Sequence, residues 1–368
     1  MSIKKYRLTL TTLTNLHIGS GEITQTFECL FKGNKFCFID ENKLIESLIS
    51  KNLENRFIQA VNPSHSRAEV KRNLDRNLES ILRGLGYSNE DLDNLVKYSV
   101  DGQALANEKI IYKPIERFVR NGNGEVFVPG SSIKGFISNV LGLSEQDNAN
   151  KDMIKNDESL RLSNKLSISD SKPIVNENLW ISRISYYQDI YGSKKTKSRN
   201  SLPKDGQSNY VEFIKPNVEI VFNIVVDTQY IDLTKFNEKL ILYNMNYFNL
   251  YQRKFVVDST RGSFDDLSNN DNMYDGKVFR IGKYTNFLLK TNYVLKKYND
   301  NPDELFNLLH QEHQRLRGGL FFFARNRNKM YQKAIDEKRY PLVLKLSYHS
   351  DGFYRENGIC KFKLEEIL

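Results

Sequence analysis

Residues 126–141, VFVPGSSIKGFISNVL, hold the transition on which the fold turns. Val126, Phe127 and Val128 form a short β-prone run, and Pro129 stops it because proline has no N–H to give a ladder. Gly130 then turns the chain, and Ser131 or Ser132 stands where a helix cap is wanted. Ile133, Phe136, Ile137 and Val140 follow at helical spacing on one face. The free N–H groups of a first helical turn, with Lys134 beside them, make an anion site, whereas the simpler reading is a capped helix with a solvated lysine. GxxxxGK[ST] is absent, which sets nucleotide hydrolysis aside.

Upstream, residues 6–13 alternate Tyr6, Leu8 and Leu10 with Arg7, Thr9 and Thr11, the period of a strand with one buried face. Residues 27–39 read as a hairpin about Gly33-Asn34. From 41 to about 98 the pattern turns helical, with Leu44, Ile45, Leu48 and Ile49, then Leu74, Leu78, Ile81 and Leu82; Pro63 and the Gly84/Gly86 pair divide it. Downstream, 144–164 is a polar surface loop, and strands are expected at 165–169, 181–187 and 219–226. A helix is expected over about 233–255, a glycine-bearing loop at 280–283, helices from about 284 and over 302–317, and a strand at 341–347. No period of 20 to 50 residues is visible, which argues against a solenoid or propeller. Strands and helices in this order suggest α+β units of the ferredoxin-like kind.

The chain of 368 residues is 39% hydrophobic, enough for a full core in one large or two ordinary domains. Lys+Arg 54 against Asp+Glu 45 gives a net charge of +9, which favours a polyanionic partner. There is no apolar run of membrane-spanning length and no apolar signal-peptide core, so a cytoplasmic protein with no membrane partner is expected. Cys29, Cys37 and Cys360 are odd in number and lack CxxC spacing, so free thiols are expected rather than disulfides or structural zinc.

Residues 15–22, NLHIGSGE, follow the first strand, and the amides of Gly19, Ser20 and Gly21 suit a phosphate oxygen; a tight strand-to-strand loop is the plainer account. Two basic stretches, 190–204 with Lys194, Lys195, Lys197, Arg199 and Lys204, and 313–333 with Arg315, Arg317, Arg325, Arg327, Lys329 and Lys333, contain no carboxylate. The second interleaves with Phe321, Phe322, Phe323 and Tyr331, the composition of a single-strand path or simply of a core. His310 and His313 share a helix face but no third metal ligand is evident. His17 is placed as the general base of a metal-independent ribonuclease or as a packed loop histidine. Asp170 and Asp258 are metal ligands or turn caps. No cofactor is expected.

Taken together, residues 13–22 (LTNLHIGSGE), 128–135 (VPGSSIKG), 168–173 (ISDSKP), 211–216 (VEFIKP), 280–291 (RIGKYTNFLLKT) and 352–363 (GFYRENGICKFK) resemble the RAMP superfamily of CRISPR proteins. Their order and spacing are similar to the branch that serves as fifth subunit of type III-A Csm effector complexes. The resemblance implies two ferredoxin-like (RRM-like) lobes, over 1–200 with a helical insertion at about 41–110, and over 201–368. It implies a non-catalytic subunit that binds CRISPR RNA (crRNA), caps its 3′ end, adjoins the backbone subunit, and recruits host nucleases for 3′ maturation in antiviral defence. Gly19, Ser20, Gly21, Gly130, Ser131, Ser132 and Lys134 are then the RNA contacts, with Arg280 and Lys283 behind them. Lys283-Tyr284-Thr285-Asn286 departs from the more glycine-rich family pattern. The rivals are a RAMP-type endonuclease using His17 on precursor CRISPR RNA, and a backbone or cap subunit of a type III-B complex.

Overall fold

The computed structural model describes residues 3–24, 28–61, 78–102, 114–143, 161–188, 209–247, 278–285, 343–350 and 354–367. In chain order the strands are β1 Ile3–Thr12, β2 Gly19–Thr24, β3 Cys29–Lys32, β4 Lys35–Ile39, β5 Val96–Asp101, β6 Ile115–Phe118, β7 Leu166–Ile168, β8 Leu179–Gln188, β9 Asn209–Ile214, β10 Glu219–Asp227, β11 Val278–Arg280, β12 Val343–Tyr348, β13 Tyr354–Glu356 and β14 Ile359–Ile367. The α-helices among these residues are α1 Glu41–Ser50, α2 Glu54–Val61, α3 Leu78–Gly84, α4 Asn89–Asn94, α5 Gly130–Leu141 and α6 Phe236–Tyr247.

The alternation in β1 does what its period demands: Tyr6, Leu8 and Leu10 are buried while Lys5 and Arg7 face outward. β1 lies between β10 and β14 in a five-stranded antiparallel sheet of order β11-β14-β1-β10-β7. With α5 between β1 and β7, and α6 after β10, the order β14-β1-β10-β7 is that of a ferredoxin-like βαββαβ unit. Phe136 of α5 meets Tyr243 of α6 edge-on at 5.8 Å and Phe279 of β11 at 4.6 Å, so both helices cover the apolar face of this sheet.

A nine-stranded mixed sheet runs β2-β6-β9-β8-β5-β4-β3, with β12 on β8 and β13 on β12. β2 and β3 end this path on opposite sides, yet only four residues separate them in sequence. Laid flat, seven strands would hold them about 29 Å apart, beyond the roughly 18 Å that such a link reaches. The sheet therefore curls, and Arg117 of β6 reaches across its inside to lie 4.4 Å from the Phe38 ring centroid of β4. Leu8, Leu10 and Phe222 of the first sheet and Phe36, Val100 and Phe118 of the second belong to one core. A smaller core of Leu30, Leu44, Leu48, Leu78, Leu82 and Leu92 seals the helical insertion onto the β3–β4 hairpin.

Two sequence expectations change. Residues 126–128 are no strand: Val126 makes only isolated bridges to Arg120 and Ile174, because Ser171 and Ile174 take the hydrogen bonds of this segment. Residues 96–98 open β5 rather than extend a helix, since pairing with β4 stacks Tyr98 on Phe38 at 4.7 Å. Each sheet takes strands from both sides of residue 200. The helix expected over 233–255 is seen as a 3-10 turn, Leu233–Lys235, and α6 to Tyr247; its remainder, both basic stretches, His310, His313, Asp258 and the helix at 302–317 lie outside the described residues.

Candidate nucleic-acid interface

Four of the quoted motifs meet at one junction. The His17 carbonyl accepts the Lys283 N–H at 2.9 Å, the Gly358 carbonyl accepts the Ile281 N–H at 2.9 Å, and the Gly358 N–H donates to the Asn15 carbonyl at 2.8 Å. Leu16 exchanges two backbone bonds with Ile214. Contacts this close leave no room for side chains: a Cβ at Gly282 would stand 2.6 Å from the His17 carbonyl oxygen, and one at Gly358 would collide with that of Ile281. Both glycines also have positive φ, so their identity is dictated twice. Asn15 anchors the junction from within, accepting from Trp180 Nε1 at 3.0 Å and donating to Ser347 Oγ at 2.9 Å.

At the mouth of the junction Lys283 is exposed and Gly19 and Glu116 are half-buried, with the Tyr284 ring buried beneath them. Lys283 Nζ is ion-paired with Glu116, whose carboxylate also accepts the Tyr284 hydroxyl. Ser20 and Gly21 lie exposed on β2, so the structure brings Gly19, Ser20, Gly21 and Lys283 to one place. His17 lies beneath them, 1% exposed, with Nδ1 2.7 Å from the Glu212 carbonyl oxygen and Nε2 3.9 Å from Glu116. Burial lowers its pKa from 6.5 to about 4, so the imidazole is neutral at pH 7 and donates from Nδ1. A ring so enclosed packs the loop; it does not face solvent where a 2′-hydroxyl would lie.

Beneath this loop, Glu212 of β9 is wholly buried and accepts the Phe118 N–H at 2.9 Å. Arg120 donates to its other oxygen, and Arg117 Nε stands 3.6 Å away. The two guanidiniums lie against Phe38 and Tyr98, so a buried charge is both paired and covered. Sequence reasoning missed Glu116, Arg117 and Arg120 as partners; the signal for Glu212 was a single carboxylate inside the apolar run Tyr210-Val211-Glu212-Phe213-Ile214.

The second group forms at the start of α5. Neither Ser131 nor Ser132 caps it; Pro129 occupies the N-cap, and Asp170 Oδ1 accepts the Gly130 N–H at 2.8 Å from across the chain. Gly130 is buried because the carbonyls of Ile168 and Ser169 press on its Cα. Its amide is thus engaged by a carboxylate, while Ser131 is exposed and Ser132 and Lys134 half-buried. Arg280 is 3% exposed, with Nη1 2.8 Å from Asn244 Oδ1, which removes it from the surface where an RNA contact was expected. Among the described residues no His, Cys, Asp or Glu cluster is arranged to hold a metal, and no helix is long and apolar enough to cross a membrane. The three cysteines are buried thiols.

The RAMP superfamily model matches residues 9–290, which includes the glycine loop after β1, Lys283 and the start of α5. The chain belongs to the RAMP superfamily. It is 28% identical over 249 residues to the CRISPR system Cms protein Csm5 of Streptococcus thermophilus, a match spanning 61% of this chain and 65% of that protein. It is 23% identical to the Csm5 protein of Enterococcus italicus over 99% of this chain and 98% of that one. This RAMP chain also shares its fold with a chain of a cryo-EM Csm–crRNA–target RNA ternary complex of a type III-A CRISPR–Cas system, at a TM-score of 0.62 and 16% identity, covering 98% of this chain and 100% of that one. A crystal structure of T.onnurineus Csm5 superposes at 0.54, with 16% identity and coverage of 96% and 99%.

Proposed function

We propose that this chain is a non-catalytic subunit of a type III-A Csm effector complex that binds CRISPR RNA, caps its 3′ end and supports 3′ maturation in the cytoplasm. The observation that carries the reading is the end-to-end similarity to a Csm5 protein. The gathering of Gly19, Ser20, Gly21 and Lys283 at one surface supports it, because exposed backbone and a lysine suit phosphate contacts without base readout. The burial of His17 favours a binding role over cleavage. The partners in this reading are the adjacent backbone subunit and host 3′-trimming nucleases. The two-lobed ferredoxin-like plan belongs to it as well, the five-stranded sheet supplying one lobe.

Lys134 and the hydroxyls of Ser131 and Ser132 form the second contact surface, with Gly130 shaping the helix start rather than touching RNA. Co-purification tests this: the tagged chain is expected to bring down the other Csm subunits with RNA carrying a defined 5′ repeat tag. Lys134→Ala is expected to lower RNA retention with unchanged thermal stability. The isolated chain is expected to leave labelled repeat RNA intact with and without divalent metal. Cleavage at one defined phosphodiester by the folded chain would replace the cap reading with that of an endonuclease.

A further inference from the structure

Lys345 enters from β12, far from the glycine loop in sequence, and arrives at the same aromatic ring as Lys283. The two ammonium nitrogens stand 5.9 and 5.8 Å from the Tyr284 ring centroid. Glu116 is paired with Lys283, and among the described residues Lys345 has no carboxylate partner. Gly19 keeps the floor bare, since a Cβ there would come within 3.1 Å of Lys283 Cδ and 3.2 Å of His17 Nε2. Lys283 and Lys345 are both exposed, as are Ser20 and Gly21 next to Gly19 on β2, so both cations reach solvent.

We propose that Lys283 and Lys345 together seat one phosphodiester of a single-stranded RNA over Tyr284, beside Gly19, with Glu116 competing for Lys283 when the seat is empty. The proposal rests on the RNA-binding reading and adds to it a residue and a competitor. Its chemistry is simple exchange: a phosphodiester carries the single negative charge of the carboxylate it displaces, and bridges a second cation that the carboxylate leaves unserved. Partial burial holds both ammonium groups below the ordinary lysine value, with the like charge of Lys345 adding to this at Lys283, so an anion between them relieves repulsion. Burial keeps His17 neutral, so no third cation is needed to explain the site.

The test uses the full chain and a short single-stranded oligouridylate, with affinity followed by fluorescence anisotropy across a salt series. Lys345→Ala is expected to weaken binding about tenfold, the low end for a charge-assisted contact, and to flatten the salt dependence by about 0.7, one phosphate's worth on a single strand. Lys345→Arg keeps both. Glu116→Gln is expected to tighten binding, because Lys283 is released. Inorganic phosphate is expected to compete only weakly; competition as strong as that of the oligonucleotide itself overturns the assignment to an RNA chain. RNA binding that is unmoved by Lys345→Ala, in a variant whose thermal unfolding matches the wild type, overturns the seat alone. Failure of the wild-type chain to bind RNA overturns the RNA-binding reading along with it.

Discussion

His17 sits where sequence alone allows two chemistries, and its surroundings choose between them. The glycine loop folds over the ring, Phe118 and Phe213 meet it edge-on at 5.7 and 5.9 Å, and the Glu212 carbonyl accepts a hydrogen bond from its Nδ1–H. A pKa pushed down to about 4 means that the unfolded chain, with histidine near 6.5, binds the proton first as pH falls. The stabilisation from keeping the ring neutral is therefore complete above about pH 6.5 and is lost progressively down to about pH 4, on the order of 3 kcal/mol over the window. Urea unfolding as a function of pH checks this: the wild-type chain is expected to lose stability across that window, and His17→Asn to show a shallower slope there. Equal slopes in both proteins would place the titration at other groups.

At the scale of an element, α5 shows how a motif that reads as a ligand site is also a joint between segments. Its first amide is bound by Asp170 and the backbone after β7 lies on Gly130, so VPGSSIKG and ISDSKP act as two halves of one corner. Removing a side-chain cap from a helix start costs about 1 kcal/mol. Asp170→Ala is expected to destabilise the chain by roughly that amount, read as a lowered urea midpoint at unchanged m-value. Gly130→Ala is expected to cost more, since its Cβ meets backbone that cannot step aside. A stability unchanged in Asp170→Ala would mean that water replaces the cap at no cost. Substitutions at Gly130 consequently report on folding, which is why Lys134 is the position to probe for RNA.

For the whole molecule, the ends of the chain are structural neighbours. β1 and β14 pair antiparallel from Lys5 opposite Ile367 to Thr12 opposite Cys360, and the second sheet joins β9 to β6 and β12 to β8. Fragments cut at residue 200 thus each lack strands that the other holds. Expressed separately, 1–200 and 201–368 are expected to be unfolded or aggregated, with poor amide-exchange protection in β1; co-expressed, they are expected to recover it. A protected, cooperatively unfolding 1–200 fragment would restore a division into sequential lobes.

Local information was sufficient where the cause is local. The alternation of β1, the Gly33-Asn34 hairpin, α1 and the face of α5 were legible because side-chain period and turn chemistry act within a few residues. The resemblance named the superfamily that the comparison then matched. What local reading missed was contact between distant segments. It took 96–98 for helix by carrying the helical pattern on to about residue 98, while pairing with β4 decides the matter. Nothing near Arg280 in sequence announces Asn244, and nothing near Lys283 announces Glu116 or Lys345. Whether a lysine or arginine faces solvent depends on which strand lies beside it, and strand order is set by the burial of the whole core. The sequence by itself determined the elements with a local cause, the period of β1, the hairpin turn, α1 and the face of α5; only the tertiary structure decided the ends of β5 and which charges meet, because pairing and a side chain's partner are chosen by packing across hundreds of residues.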